Sequence, residues 1–325
     1  MASRVSSPED AGCFCFNLDS GLTRALPKER IKRALCPLYY CTTGNRLAER
    51  VVTLTSLIVE ITTIMNYSYE ENKKIIEKWR ERATKDGDGD ISPDGVYYKG
   101  KLYLEPNSNQ MWRYTGEEDE QWAKAKRRIL FVSKDMNESN NAYDFRCLDL
   151  THNPDGSLSF GCRFNNNLLR ITTGISLLTK EGYPTYDEVN DIEYVNKVWK
   201  DTAIARINLK KHSGGSSCPN NILRESIDKY QDLILEQMKL LAPNIIVCCG
   251  GSGIIKDFVI EKFLEEKPED LKSETDNWIY YSPNSDVWVI DSYHMNPMGH
   301  STDQDLYENI MKYLQDGMKK HNTKI

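Results

Sequence analysis

Apolar positions change their spacing several times along the chain, and each change marks an element. From Met65, MNYSYEENKKIIEKWRERATKDGDGD sets apolar residues three and four apart, the spacing of one buried helix face. KDGDGDISPDG at 85–95 then reads as a solvated acidic turn. VYYKGKLY at 96–103 reads as a hairpin with Lys99–Gly100 at its tip. After residue 118, helical stretches and short apolar runs alternate. EDEQWAKAKR (118–127) predicts a helix, and RRILFVSKDMN (127–137) a buried strand that runs into polar residues. NNNLLRITTGISLLTK (165–180) and TYDEVNDIEYVNKVWK (185–200) predict helices, and DTAIARINLKK (201–211) a second strand. SIDKYQDLILEQMKLLAP (226–243) is an amphipathic helix closed by proline. NIIVCCGGSG (244–253) is a third strand with a glycine-rich exit, followed by the helix IIKDFVIEKFLEE (254–266). NWIYYSPNSDVWVIDSYH (277–294) is a hairpin-like approach to a fourth strand, and DQDLYENIMKYLQDGMKKH (303–321) the last helix.

Strands that alternate with helices of this length call for parallel pairing, with helices on both faces of the sheet. The expected architecture is a three-layer α/β/α fold around a central, mainly parallel four-stranded sheet. Right-handed crossovers set the carboxyl ends of such strands along one edge, where ligands of open α/β sheets bind. Four strand exits meet there: SKDMN, NLKKHSGG, GGSG and SYHMNP. Residues 1–64 lack clear periodicity and are locally basic, as in RALPKERIKR at 24–33. They are expected to be a separate leader, with the α/β domain spanning 65–325.

Composition narrows the partners. The net charge of -6 over 325 residues gives no global basic field, so a nucleic-acid partner needs a local patch. VVTLTSLIVEITTIM at 51–65 is interrupted by Glu60, and no run is long and apolar enough for a membrane span. The start of the chain has no basic-then-apolar signal pattern, so a cytoplasmic protein is expected. A monomer is expected as well. Cys13, Cys15, Cys36 and Cys41 are spaced C-x-C and C-x4-C, a poor match to paired zinc ligands. Counted from Asp86, the acidic turn holds Ile91 and Tyr97 where a calcium loop needs glycine and glutamate. No metal or other cofactor is expected.

Each strand exit carries a distinct chemistry. Asp135 stands just past an apolar strand, where partial burial can tune a general base. Asn208 offers an amide that both donates and accepts, suited to reading the edge of a pyrimidine. Gly250, Gly251, Ser252 and Gly253 open a helix with backbone N–H groups that suit a phosphate. His294 can donate to a developing oxyanion. Lys134 and the Lys210–Lys211 pair add positive charge near the same edge.

In order and spacing these exits resemble the motifs of the uracil-DNA glycosylase superfamily over about residues 120–315. The family's first motif, Gly-Gln-Asp-Pro-Tyr after a strand, corresponds to Ser133, Lys134, Asp135, Met136 and Asn137. Its base-reading Asn corresponds to Asn208 in RINLKK, and its apolar strand ending in glycine to IIVCCGG. Its closing His-Pro-Ser-Pro-Leu corresponds to His294, Met295, Asn296, Pro297 and Met298. The resemblance implies a glycosylase-like fold and hydrolysis of the N-glycosidic bond of a base flipped out of DNA. It assigns Asp135 to the attacking water and the oxocarbenium-like sugar, Asn208 to the base edge, and His294 to the pyrimidine oxygen. Asn137 would lie beside the base, with Phe145 or Tyr143 stacked on it. Lys134, Lys210, Lys211, Gly250, Gly251, Ser252, Asn296 and Pro297 would meet the DNA, with Met298 as the wedge in the base stack. Asn137 stands where the family has the tyrosine that excludes thymine, and Met136 where it has a proline, which leaves the substrate base open. Two alternatives stay beside this one: a non-catalytic member that binds a nucleotide or nucleic acid, and an unrelated α/β enzyme acting on a small nucleotide or sugar phosphate through GGSG.

Overall fold

A computed structural model describes residues 67–100, 102–104, 110–112, 114–135, 144, 146, 153, 157–212, 217–271, 278–297 and 302–321, with 102–104 and 110–112 described by backbone alone. The expected leader lies outside the described residues, as do Cys13, Cys15, Cys36, Cys41, Met136, Asn137, Tyr143, Phe145 and Met298.

Helix α1, Tyr69–Asp86, starts where Ser68 accepts the N–H of Glu71 and stops at Gly87, whose φ of 74° reverses the chain. Strand β1, Gly95–Val96, is a two-residue element. Strands β2, Leu102–Leu104, and β3, Gln110–Trp112, pair with each other as a small antiparallel ribbon. The hairpin expected with Lys99–Gly100 at its tip does not form. Val96 pairs with Ala205 instead, and the Lys99 ammonium turns inward to the carbonyls of Trp199 and Thr202. Burial there pushes it down to about 7, against the charges of Glu118 and Asp201.

Helix α2, Glu117–Lys124, leads into strand β4, Ile129–Ser133. Helices α3, Arg163–Leu177, α4, Tyr186–Val189, and α5, Ile192–Trp199, carry the chain to strand β5, Ile204–Asn208. The helix expected over 185–200 is two helices, because Asp191 caps the second by accepting the N–H of Glu193. Helix α6, Asn220–Leu241, precedes strand β6, Ile245–Cys249. Helix α7, Ile254–Phe258, continues into a π-helical turn at Val259–Phe263, and helix α8 is Pro268–Leu271. Strands β7, Ile279–Ser282, and β8, Val287–Ser292, form the expected hairpin, and helix α9, Asp303–His321, ends the described chain. Among the described residues no helix is long and apolar enough to cross a membrane.

The main sheet has six strands, not four, in the order β1-β5-β4-β6-β8-β7. The four expected strands are its parallel centre, and β1 and β7 flank them antiparallel. Alternate residues of the central strands enter two separate cores. Leu130, Val132, Ala205, Ile207, Ile246 and Cys248 pack on one face with Trp79 of α1, Leu233 and Ile234 of α6, and Ile255 of α7. Ile129, Phe131, Ile204, Ile245, Val247 and Ile290 pack on the other with Leu168 of α3, Trp199 of α5, and Leu306 and Ile310 of α9. Burial on both faces is why these strands read as continuous apolar runs.

The second layer closes over a glycine. A Cβ at Gly174 of α3 would lie 2.6 Å from Tyr307 and 2.7 Å from Met311 of α9. Gly174→Ala is expected to lower stability by about 1–3 kcal/mol through overpacking, read from a shift of the denaturant midpoint. An unchanged midpoint would show that the two helices are not held this close.

The order of the parallel strands decides where a ligand can enter. Chain order β4, β5, β6, β8 becomes spatial order β5-β4-β6-β8, so the chain reverses direction across β4. The exit of β4 leads to α3 on one face of the sheet, and the exit of its neighbour β6 leads to α7 on the other. Loops that part in this way open a crevice at the carboxyl ends of the two strands.

Candidate functional site

The register aligns the expected residues across this edge. Ser133 pairs with Asn208, Val132 with Cys248, and Cys249 with Ser292. Ser133, Arg206, Asn208, Cys249 and Ser292 share the parity of the strand residues that enter the α3–α9 core, so they share that face.

Asn208 ends β5 with 1 % of its surface exposed. Its side-chain Nδ2 and Oδ1 are both buried and both without a hydrogen-bond partner. Buried amides are almost always bonded, and each orphaned group costs about 1–3 kcal/mol. Its backbone is the reverse: the N–H donates to Asp94 Oδ2 at 2.8 Å, and the carbonyl accepts from Lys211 Nζ at 3.2 Å.

Asp135 follows β4. Its side chain is 11 % exposed, and Oδ2 is buried without a hydrogen bond, with Lys210 Nζ at 3.7 Å. Burial pushes the carboxyl above its ordinary value, against the charges of Lys210 and Lys134.

His294 follows β8. Its Nδ1 accepts the backbone N–H of Asn296 at 3.1 Å, so the neutral ring carries its proton on Nε2. Burial, with the positive charges of Arg206 and Lys134, pushes the imidazole below its ordinary value and favours that neutral form. The ring leans on Phe164 of α3, with centroids 5.3 Å apart, and the Arg206 guanidinium lies 4.3 Å over the same Phe164. Arg206 Nε also donates to Ser133 Oγ at 3.3 Å. One chain of contacts therefore links the exits of β4, β5 and β8.

The loop after His294 is stapled to two helices. Asn167 Nδ2 donates to the carbonyl of Met295 at 2.8 Å and to Asp303 Oδ1 at 2.7 Å. Arg163 donates through Nη1 to the carbonyl of Pro297 and through Nε to Asp303 Oδ1, both at 2.7 Å. Pro297 is thus buried in the staple, while Asn296 stays exposed.

Several expected contacts take other roles. Lys211 is 1 % exposed and ion-paired with Asp94, so it does not face a phosphate backbone. Lys210 is also buried, donating to the carbonyl of His212 at 3.0 Å beside Asp135. Lys134 remains half-buried at the edge, with Nζ 3.2 Å from Asn220 Oδ1. The Gly250 N–H is taken by the carbonyls of Ser292 and Cys248, at 3.0 and 3.1 Å, and is not offered to a phosphate. Its glycine identity has another cause. The φ is 83°, and a Cβ there would stand 3.2 Å from the backbone N of His294, so the absent side chain lets the β8 exit approach. Gly251, buried, and Ser252, exposed, continue the turn at φ 93° and 51°.

Phe164, Arg206, Asn167, Asp303 and Asp94 were not singled out from the sequence. A signal existed for Arg206, a charge inside the apolar run IARIN at the same parity as Asn208. The others act through tertiary contacts alone.

Asp291 lies on the opposite face of β8. Burial pushes it up to about 6, against Lys256 and with Asp257 adding to the rise. A carboxyl raised in the folded state favours folding below its unfolded value near 3.9, and that contribution is lost as pH rises through about 6. Asp291→Asn is expected to stabilise the protein by about 1–2 kcal/mol at neutral pH, below the full conversion of ~3 kcal/mol because the side chain keeps some solvent. At a pH near 3.5 the gain should vanish, as paired denaturation curves would show.

The fold is that of an open, mainly parallel α/β protein with polar side chains gathered at the carboxyl ends of its central strands, beside the topological switch point. In comparison with known proteins, the chain matches no protein-family model and no curated protein.

Proposed function

We propose that the chain is an N-glycosidic-bond hydrolase of the uracil-DNA glycosylase type, acting on a uracil or other altered base flipped out of DNA. One observation carries the reading: the side-chain amide of Asn208, buried at the strand-exit edge with both donor and acceptor unused. An adjacent carbonyl and imide N–H of a pyrimidine would complete both hydrogen bonds at once. The neighbouring groups suit the rest of the reaction. The Asp135 carboxylate orients the attacking water and stabilises positive charge on the sugar. The neutral His294 donates from Nε2 to the base oxygen as negative charge builds there, a contact whose removal typically costs about 3–4 kcal/mol of barrier. The parallel pairing of β5, β4, β6 and β8 supports the glycosylase-like reading, because it brings these three exits to one edge.

The test is incubation with duplex and single-stranded oligonucleotides carrying uracil, hypoxanthine, or thymine opposite guanine, followed by alkaline cleavage of abasic sites. Product from one of them is expected. A folded protein that releases none would overturn the reading.

One observation favours a non-catalytic binder instead. The ammonium of Lys210, 3.7 Å from Asp135, competes with water for that carboxylate. Retention of an oligonucleotide without cleavage would support the binder. The third alternative, a sugar-phosphate enzyme using the glycine turn, is weakened because Gly250 spends its N–H inside the fold.

A further inference from the structure

We infer that Asp94 and Lys211 are a positioning pair that holds the backbone of Asn208 from both sides and thereby aims its side-chain amide; this deepens the base-reading role proposed for Asn208 and rests on it. Strand β1 pairs with β5 only at Gly95↔Arg206 and Val96↔Ala205. On that side the ladder is interrupted at Asn208 and resumes beyond it, where the Ser92 N–H donates to the carbonyl of Lys211 and Ile91 bridges His212. The carboxylate of Asp94 fills the interruption, with Oδ2 accepting the Asn208 N–H at 2.8 Å. Lys211 folds back three residues later. Its ammonium donates to Asp94 Oδ1 and Oδ2 at 2.7 and 2.5 Å and to the Asn208 carbonyl at 3.2 Å, which uses all three of its protons. The N–H and C=O on either side of one Cα are thus gripped by a single ion pair, and the direction of Cα–Cβ is set.

The pair is itself anchored. Gln237 of α6 donates to Asp94 Oδ1 and to Asn72 Oδ1, both at 2.9 Å, and Asn72 of α1 donates to the Asp94 carbonyl at 2.8 Å. The Trp79 ring lies 5.2 Å from Lys211 Nζ. Asp94, Asn72, Gln237 and Lys211 are all 0–1 % exposed. A buried ion pair is a poor way to gain stability alone, since apolar residues of the same size often do as well. Apolar residues cannot grip an N–H and a C=O together. The charges are therefore placed where direction matters, under an amide whose own buried polar atoms have no hydrogen-bond partner.

The experiment replaces the pair as a unit, Asp94→Leu with Lys211→Met, which leaves no unpaired charge. Asp94→Asn, keeping volume and one acceptor, runs in parallel in case the double variant does not fold. Hydrogen exchange of the Asn208 backbone amide is read by NMR. It is expected to quicken by about ten-fold or more in the double variant, and in the same direction but less in Asp94→Asn, because a charge-assisted hydrogen bond is lost or weakened. On the oligonucleotide that the wild type cleaves, kcat is expected to fall on the order of 10- to 100-fold with KM little changed. That fall should disappear when Asn208 is already alanine. Unchanged exchange in the folded variants, or a kcat loss just as large in the Asn208→Ala background, would overturn the inference. If the wild type cleaves no oligonucleotide, the proposed function falls, and amide exchange alone decides the positioning pair.

Discussion

Asp135→Asn is expected to lower the rate of base excision about 10²- to 10⁴-fold while oligonucleotide binding stays within a few-fold of wild type, the range lost when a positioned acid or base is removed. The isosteric amide fills the same space beside Lys210 but carries no charge to orient water or to face a cationic sugar. The pH profile gives a second reading of the same group. Burial raises the Asp135 carboxyl, so the acid limb of kcat should lie above the ordinary aspartate value of about 3.9. Lys210 opposes that rise, so Lys210→Met should move the limb to still higher pH. Excision rates measured from pH 4 to 9 check both statements. A kcat unaffected by Asp135→Asn would remove this carboxylate from the mechanism.

The largest effect on stability is expected from Lys211→Met. It leaves Asp94 charged and without its counter-ion in a fully buried site, at a cost of about 3–5 kcal/mol. The exposed pairs Lys74–Glu71 and Lys124–Glu120 should matter far less, because water screens them. The double replacement Asp94→Leu with Lys211→Met should cost less than Lys211→Met alone, since no unpaired charge remains. Urea denaturation of the three variants would check the ranking. A double variant less stable than the single one would show that the ion pair is a net source of stability.

The two expectations differ in how far the sequence foretold them. Asp135, Asn208 and His294 could be named because each follows an apolar run, and the alternation of strands and helices implied that such runs end on one edge. The helices over 226–243, 254–266 and 303–321 were legible from their spacing, as was the β7–β8 hairpin. The edge strand β1 was not. Its partner β5 lies more than a hundred residues further on, and two residues carry no periodicity. Of the two strands beyond the expected four, β1 was hidden for this reason, whereas β7 had been read as the hairpin-like approach to the fourth strand without being counted in the sheet.

The lysines show the same limit from the other side. In NLKKH, Lys210 and Lys211 follow a strand exit, and by composition alone they read as surface charges available to phosphate. Asp94, which takes Lys211 inward, is 117 residues away, and no local pattern announces it. The glycine turn is similar: its left-handed backbone was legible, but the use of Gly250 as clearance for His294 required both loops in place.

By itself the sequence determined the class of fold, the longer helices, the four central strands and the residues standing at their exits, because periodicity and strand-end polarity are local properties that follow from which face each side chain must bury. Only the tertiary structure decided the strand order, the edge strands, the burial of Lys210 and Lys211 and the grip on Asn208. Those depend on contacts between segments far apart in the chain, and the energy of such a contact is set by what it meets there.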